Sequence, residues 1–265
     1  MCITVFLWQS HPLYPLLLFV NRDEYHNRPT EALRWWEDGE TVGGRDLVGG
    51  GTWLGFTRHG RLAFLTNFRE ASSFPVAKSR GDLPLRYLQS RKSPAEFAEE
   101  IRDEIALYNG FNLVVAHVSS KSMIYITNRP CQGQQLATQV SPGIHVLSNA
   151  NLDSPWPKCV RLREGFEQLL AENAPAEFPV KKMVEEVMTN TLKDEETERS
   201  STDTGYHLSS IFVDIQTPTG RYGTRSISAI SIKTHGEVCF YERHLEEGDS
   251  WKEHTQHFVI QNQSI

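Results

Sequence analysis

Apolar residues run along this chain in short blocks, separated by polar punctuation. The first block, Met1-Cys2-Ile3-Thr4-Val5-Phe6-Leu7-Trp8, and the second, Leu16-Leu17-Leu18-Phe19-Val20, are rich in β-branched, aromatic and aliphatic residues. Both are too short for helices, so the pattern predicts two strands. His11, Pro12 and Pro15 between them predict the hairpin loop. If that loop is symmetric about Pro12, Cys2 lies opposite about position 22. One hairpin end then carries the Cys2 thiol, the Arg22 guanidinium and the carboxylates of Asp23 and Glu24. A slip of one residue would turn each of these side chains to the other face.

Tyr25 to Pro29 is polar and predicts a loop, and Trp35-Trp36 predicts an apolar anchor before the turn at Glu37-Asp38-Gly39. Gly43-Gly44 and Gly49-Gly50-Gly51-Thr52-Trp53-Leu54-Gly55 allow close backbone approach, to a ligand or to neighbouring chain. The GK[ST] ending of a phosphate-binding loop is missing. Arg61 to Asn67 predicts a strand ending on an amide. Ser93-Pro94-Ala95-Glu96 is a capping box with proline at the first helical position. It predicts a helix to about Leu107, with Phe97, Ile101, Ile105 and Tyr108 inward. Strands are predicted at Phe111–Val118, Met123–Asn128 and Gly143–Asn149, and helices at Pro155–Ala171 and Val180–Leu192. Asp194 to Gly205 reads as a polar connector. Ile211–Ile215, Arg225–Lys233 and Glu237–Tyr241 are predicted strands, and the chain beyond Leu245 reads as a polar tail until Phe258-Val259-Ile260. This order predicts an α+β fold of largely antiparallel sheets with helices on the outer faces.

At 265 residues the chain can bury a sizeable core, and we read it as a single domain, 1–265. A net charge of -6 with no lysine or arginine block excludes a general nucleic-acid surface. Cys2, Cys131, Cys159 and Cys239 are too widely spaced for a zinc site or a disulfide framework, which points to a reducing compartment. The apolar start lacks a basic n-region and is broken by prolines, so it is not read as a signal peptide. No run of ~18 apolar residues predicts a membrane span. The expected location is cytosolic, with association to the Golgi or the mitochondrion left open.

Cys2 carries the chemical interest. Cysteine is small enough for initiator-methionine removal, which leaves a free α-amine of pKa near ~8 that can act as base for its own thiol. Arg22 would bias that thiol toward thiolate. Acyl transfer by such a group also needs donors for an oxyanion, and Asn67, Asn149 and Arg225 stand at polar strand ends. Taken singly, each of these is an ordinary turn or capping residue, and Cys2 is a small apolar residue opening a strand.

Asn21-Arg22-Asp23-Glu24 behind Met1-Cys2, Gly50-Gly51-Thr52-Trp53-Leu54-Gly55, Tyr108-Asn109-Gly110-Phe111-Asn112-Leu113, Leu147-Ser148-Asn149-Ala150, Pro155-Trp156-Pro157-Lys158 and Tyr222-Gly223-Thr224-Arg225-Ser226 resemble the NRDE family, also called the transport and Golgi organization protein 2 family. The matches run from residue 2 to about residue 245, and Trp35-Trp36 with its spacing to Arg61-Leu62 is most similar to plant members. That family is similar in turn to the N-terminal nucleophile hydrolases, which implies a four-layer αββα sandwich. The resemblance implies Cys2 as the nucleophile on a carbon–nitrogen amide, Arg22 with Asp23 or Glu24 beside it, Asn149 as the oxyanion donor, Asn67 as a second site amide and Arg225 as the late site arginine. The family is associated with Golgi organisation, protein secretion, haem trafficking, and acyl-CoA and lipid homeostasis. Two function classes follow. The leading one is carriage of a small amphipathic molecule, haem or acyl-CoA, in an apolar cleft; Trp35, Trp36, Trp53 and Trp156 would either line it or all belong to the core. The alternative is a Cys2-dependent amidohydrolase or thioesterase. Neither requires a metal or a cofactor; haem enters only as cargo, and no CxxCH attachment site occurs.

Overall fold

A computed structural model describes residues 2–130, 135–174, 176–194, 204–246 and 248–261. Cys131 and most of the connector expected at Asp194 to Gly205 lie outside them.

The first hairpin forms as its pattern predicts. Strand β1 (Cys2–Trp8) pairs antiparallel with β2 (Leu16–Tyr25). Both runs are apolar throughout because both strands are covered on two sides. Phe6, Trp8, Leu16, Leu18 and Val20 face a second sheet, whereas Ile3, Val5, Leu7, Leu17 and Phe19 face a helix. That second sheet holds, in order, β3 (Thr30–Trp35), β4 (Thr41–Asp46), β5 (Leu54–Thr57), β6 (Arg61–Asn67), β7 (Phe111–His117), β8 (Ser122–Thr127) and β9 (Ala137–Gln139). The first sheet runs β10 (Gly143–Leu147), β1, β2, β12 (Gly220–Ile232), β13 (Glu237–Leu245) and β14 (Trp251–Val259), with β11 (Asp214–Thr217) beside β12. All ladders within the two sheets are antiparallel.

Helices α1 (Asp82–Gln89) and α2 (Pro94–Glu100) cover the second sheet, burying Leu83, Tyr87, Leu88 and Phe97. Helix α3 (Pro157–Asn173) covers the first, burying Leu162, Phe166 and Leu169. The result is a four-layer αββα sandwich, as the family resemblance implies.

Several elements depart from the sequence pattern, each for a physical reason. The Ser93 and Glu96 capping box forms, but α2 stops at Glu100. The chain turns at Arg102–Glu104, and Tyr108 reaches the same core from beyond a separate 3-10 turn, Ile105–Leu107. The helix expected over Val180–Leu192 is α-helical only at Val180–Lys182 (α4) and continues as a π-turn over Met183–Val187. Beyond it, the Asn21 amide donates to the Met188 and Ile211 carbonyls at 2.8 and 3.0 Å. Strand β14 replaces the expected polar tail: it is an edge strand carrying Lys252, Glu253, Thr255 and His257 outward, which blunts edge pairing and masks its periodicity. Strand β3 escapes notice because it is bulged between Glu31 and Arg34. The Leu33 N–H donates instead to the buried Glu242 carboxylate, at 2.7 Å.

Candidate active site

Residue Cys2 pairs with Arg22 across the β1–β2 ladder, so both side chains stand on the face turned toward the second sheet. The Ser148 hydroxyl, just past β10, donates to the Cys2 carbonyl at 3.0 Å and fixes the start of β1. The thiol is buried, which pushes its pKa up; the Asp23 backbone amide and the Arg22 charge pull the other way. Arg22 is only 5% exposed. Its guanidinium carbon lies 4.2 Å from the centre of the Trp53 ring, a cation–π contact in a desolvated setting. Trp53 reaches that position only because Gly44 has no side chain; a Cβ there would sit 2.4 Å from the indole.

The two neighbouring carboxylates divide. Alternation puts Asp23 on the opposite face of β2, where it accepts from the Thr224 hydroxyl at 2.8 Å. Burial pushes its pKa up to about 6 against the opposing pull of Lys158, Thr224 and Arg22. Glu24 stays on the Cys2 face but turns away: one oxygen accepts from the Tyr25 amide at 2.8 Å and the other pairs with Arg28 at 3.8 Å. Of the two, Asp23 is the carboxylate whose charge acts directly on the Cys2 thiol.

Asn149 and the late arginine depart from the sequence reading, whereas Asn67 does not. Asn67, ending β6, lines the cleft in front of Cys2, while Asn149 is buried and absent from that lining. The Asn149 amide is spent on the Asn67 carbonyl, at 2.7 Å. It belongs to a polar seam stitching the sheets together beside Cys2, in which Thr66 donates to the Ser148 carbonyl at 2.5 Å and Asn112 to that of Ala150 at 2.9 Å. Arg225 also leaves the cleft. It is the extra residue of a β-bulge, because Thr224 pairs with Asp23 and Ser226 with Arg22. Its guanidinium holds the loop after β2, donating to the Thr30 hydroxyl at 2.8 Å and to the carbonyls of Tyr25 and Arg28.

The cleft has a volume of about 510 Å³, and Cys2, Arg22, Asp23, Glu24 and Asn67 all line it. Arg28, Lys78 and Arg80 add three more cations, of which Arg28 is neutralised by Asp46 at 2.7 Å and Lys78 by Glu104 at 3.0 Å. Arg80 donates to the Gly110 carbonyl at 3.0 Å and forms no ion pair among the described residues. Trp53 is the one of the four expected tryptophans on this lining. Trp36 is in the core beneath α1, Trp35 packs on Phe258 and Trp156 on the core beneath α3. Exposed apolar residues near the cleft are Val48, on its lining, and Phe74 (66%) and Val76 (96%), which flank the lining residue Pro75 in sequence. Among the described residues no three His, Cys, Asp or Glu side chains are arranged to hold a metal ion, and no helix is long and apolar enough to cross a membrane.

Sequence reasoning missed Arg80 and Lys158. Lys158 is 2% exposed, donates to the Leu208 carbonyl at 3.1 Å and lies close enough to Asp23 and Cys2 to act on both charges. One signal was available. Lys158 sits in the first turn of α3, where a cation opposes the helix dipole and therefore calls for a reason.

A family described as Transport and Golgi organisation 2 matches residues 1–247. The chain is 31% identical to the Transport and Golgi organization protein 2 homolog of Bos taurus over 99% of its length and 100% of the relative's. It is 30% identical to the Transport and Golgi organization 2 homolog of Mus musculus, again over 99% and 100%. Among solved structures it resembles a conjugated bile acid hydrolase from Clostridium perfringens, with a TM-score of 0.53 at 10% identity over 98% of this chain and 92% of that one. That likeness is one of fold.

Proposed function

The chain belongs to the Transport and Golgi organisation 2 family, and we propose that, once Met1 is removed, it acts through Cys2 as an N-terminal nucleophile hydrolase of an amide or thioester. The observation that supports this reading is the pairing of Cys2 with Arg22 on the inner face of the hairpin, both opening on the same cleft. The freed α-amine of Cys2 takes the thiol proton, and the sulfur bonds to the acyl carbon. The carbonyl electrons move onto oxygen, for which the Asn67 amide, on the cleft lining, is the candidate donor. Collapse breaks the carbon–nitrogen or carbon–sulfur bond. The leaving group departs with the proton carried by the α-ammonium, and water then releases the free acid from the S-acyl cysteine. Asp23 and Lys158 hold the amine and the strand end behind this step; Asn149 positions Asn67.

The cleft combines the buried Arg22, and an Arg80 without an ion pair among the described residues, with an exposed apolar lip formed by Val48 and by Phe74 and Val76 on either side of the lining residue Pro75. That combination suits an amphipathic substrate with an acidic or strongly polar part inside and an apolar part at the mouth. The same lip favours carriage of haem or acyl-CoA as a second reading. Cytosolic residence with Golgi association accompanies either reading, and the plant affiliation rests on Trp35-Trp36 and its spacing to Arg61-Leu62.

The test begins with an intact-mass spectrum of the native protein, which should lack Met1. Release of free acid from amide and thioester substrates is then assayed for the wild type, for Cys2→Ala and for a form with Met1 retained. Both altered forms should lose several powers of ten in turnover, because nucleophile and base act as a unit. Turnover that survives in Cys2→Ala sinks the hydrolase reading. A wild type that binds haem or acyl-CoA without turnover, with Cys2→Ala within about threefold in affinity, establishes carriage instead.

A further inference from the structure

A second cavity, of about 680 Å³, lies on the other side of the loop that follows β2. It opens at the rim of the inter-sheet layer. His244 continues the face of β13 that carries Val238, Phe240 and Glu242 inward, and His254 continues the face of β14 that carries Phe258. Its lining includes His26, Arg28, Arg225, His244, Glu246 and His254. Four nitrogens of these residues are buried without a hydrogen-bond partner: Nε2 of His26, Nε of Arg225, Nδ1 of His244 and Nε2 of His254. Buried polar atoms are almost always paired, so four orphans on one cavity are an unusual concentration.

Positive charge is concentrated there as well. Arg225 is 8% exposed, and its bound neighbours are neutral oxygens. The Glu246 carboxylate is taken by Lys252 at 2.6 Å, and the Arg28 charge by Asp46. Among the described residues, none of His26, Arg225, His244 and His254 forms an ion pair. A metal would need ligands that no cluster of described residues supplies, and Arg225 would repel it.

We propose that this cavity is an oxyanion site, separate from the Cys2 cleft, that takes a phosphate group through Arg225 Nε and the rings of His26, His244 and His254. A phosphate dianion has enough lone pairs to accept from all four donors, and guanidinium and imidazolium groups are its ordinary partners. A histidine donates at the orphaned nitrogen when its proton sits there, which a neutral ring achieves in one of its two tautomers and a protonated ring in either case. The groups acting on His244 are Arg225, His254, Arg22 and Glu246, and those acting on His26 are Arg221, Asp214, Arg225 and Asp249. Burial and the like charges hold both rings neutral, and an anion among them reverses that bias. The donor set is shared by a soluble phosphate ester and a lipid headgroup.

The experiment titrates the full chain with inorganic phosphate at low salt and follows the histidine ring signals by NMR. His26, His244 and His254 should shift together, and His254→Ala and His244→Gln should each weaken binding by about tenfold or more, as expected for a charge-assisted bond. Glycerol phosphate and phosphatidylcholine vesicles with and without phosphatidic acid separate the two sources; binding by either supports the site and names the ligand. Ring signals that stay unmoved overturn the proposal. So does binding that Arg80→Ala abolishes while His254→Ala leaves it intact, because the anion would then occupy the Cys2 cleft.

Discussion

The two cavities flanking the loop after β2 share Arg28 in their linings and differ in how their charges are managed. In the Cys2 cleft most charges are answered: Arg28 by Asp46, Lys78 by Glu104, and Asp23 by Thr224 and its cationic surroundings. In the rim cavity Arg28 and Glu246 are answered by Asp46 and Lys252, but Arg225 meets only neutral oxygens, and the three histidines form no ion pair among the described residues. The first arrangement fixes the surroundings of the Cys2 thiol; the second leaves interaction capacity unspent. Arg22 and Arg225 show the contrast at close range. One lies over Trp53 beside a thiol, while the other staples a loop.

The largest expected effect separates those two arginines. Arg22→Ala should lower turnover by roughly 10²–10³, as loss of a preorganised charge or donor commonly does, with little change in the urea midpoint. Arg225→Ala should instead cost about 2–3 kcal/mol of stability, through its bonds to Tyr25, Arg28 and Thr30. Equal effects of both variants on both measurements would erase the distinction between a chemical and a structural arginine.

A smaller effect sharpens the contrast through pH. Asp23 has its pKa raised from 3.8 to about 6, so the folded state holds its proton longer than the unfolded state does. Its contribution is fully present below the lower value and is lost as pH rises through the higher one. His244 has its pKa lowered from 6.5 to about 4, so its contribution is gained as pH rises over that window. Each slope is at most ~1.4 kcal/mol per pH unit, and the two oppose each other. Asp23→Asn should therefore make stability climb more steeply from acid to neutral pH, and His244→Gln should make it fall. Urea midpoints across that range decide the matter; a shift of the same sign in both variants contradicts the assignment.

How far the sequence carried the reading depended on locality. The Cys2–Arg22 register was legible because one short hairpin with an apolar period and a proline loop determines it. The αββα layering followed from the family resemblance and the order of elements. Asn149 and Arg225 read as cleft residues because they end strands near Cys2, and a strand end does not reveal which way a side chain is spent. Asn149 is consumed by a carbonyl 82 residues away in sequence. Strands β3 and β14 were hidden by a bulge and by edge polarity, and the second cavity is assembled from four separate parts of the chain, beyond the reach of any local pattern.

The bulge in β12 has one more consequence. The ladder treats Thr224 and Ser226 as successive partners of Asp23 and Arg22, so Arg225 adds to the strand's length without entering its register. Deleting that single residue would leave every pair on either side aligned and every face unchanged. In this sense Arg225 is an insertion kept for its side chain alone. Its removal and its truncation to alanine should be nearly interchangeable, whereas deleting a neighbour such as Ile227 would turn the remainder of the strand inside out.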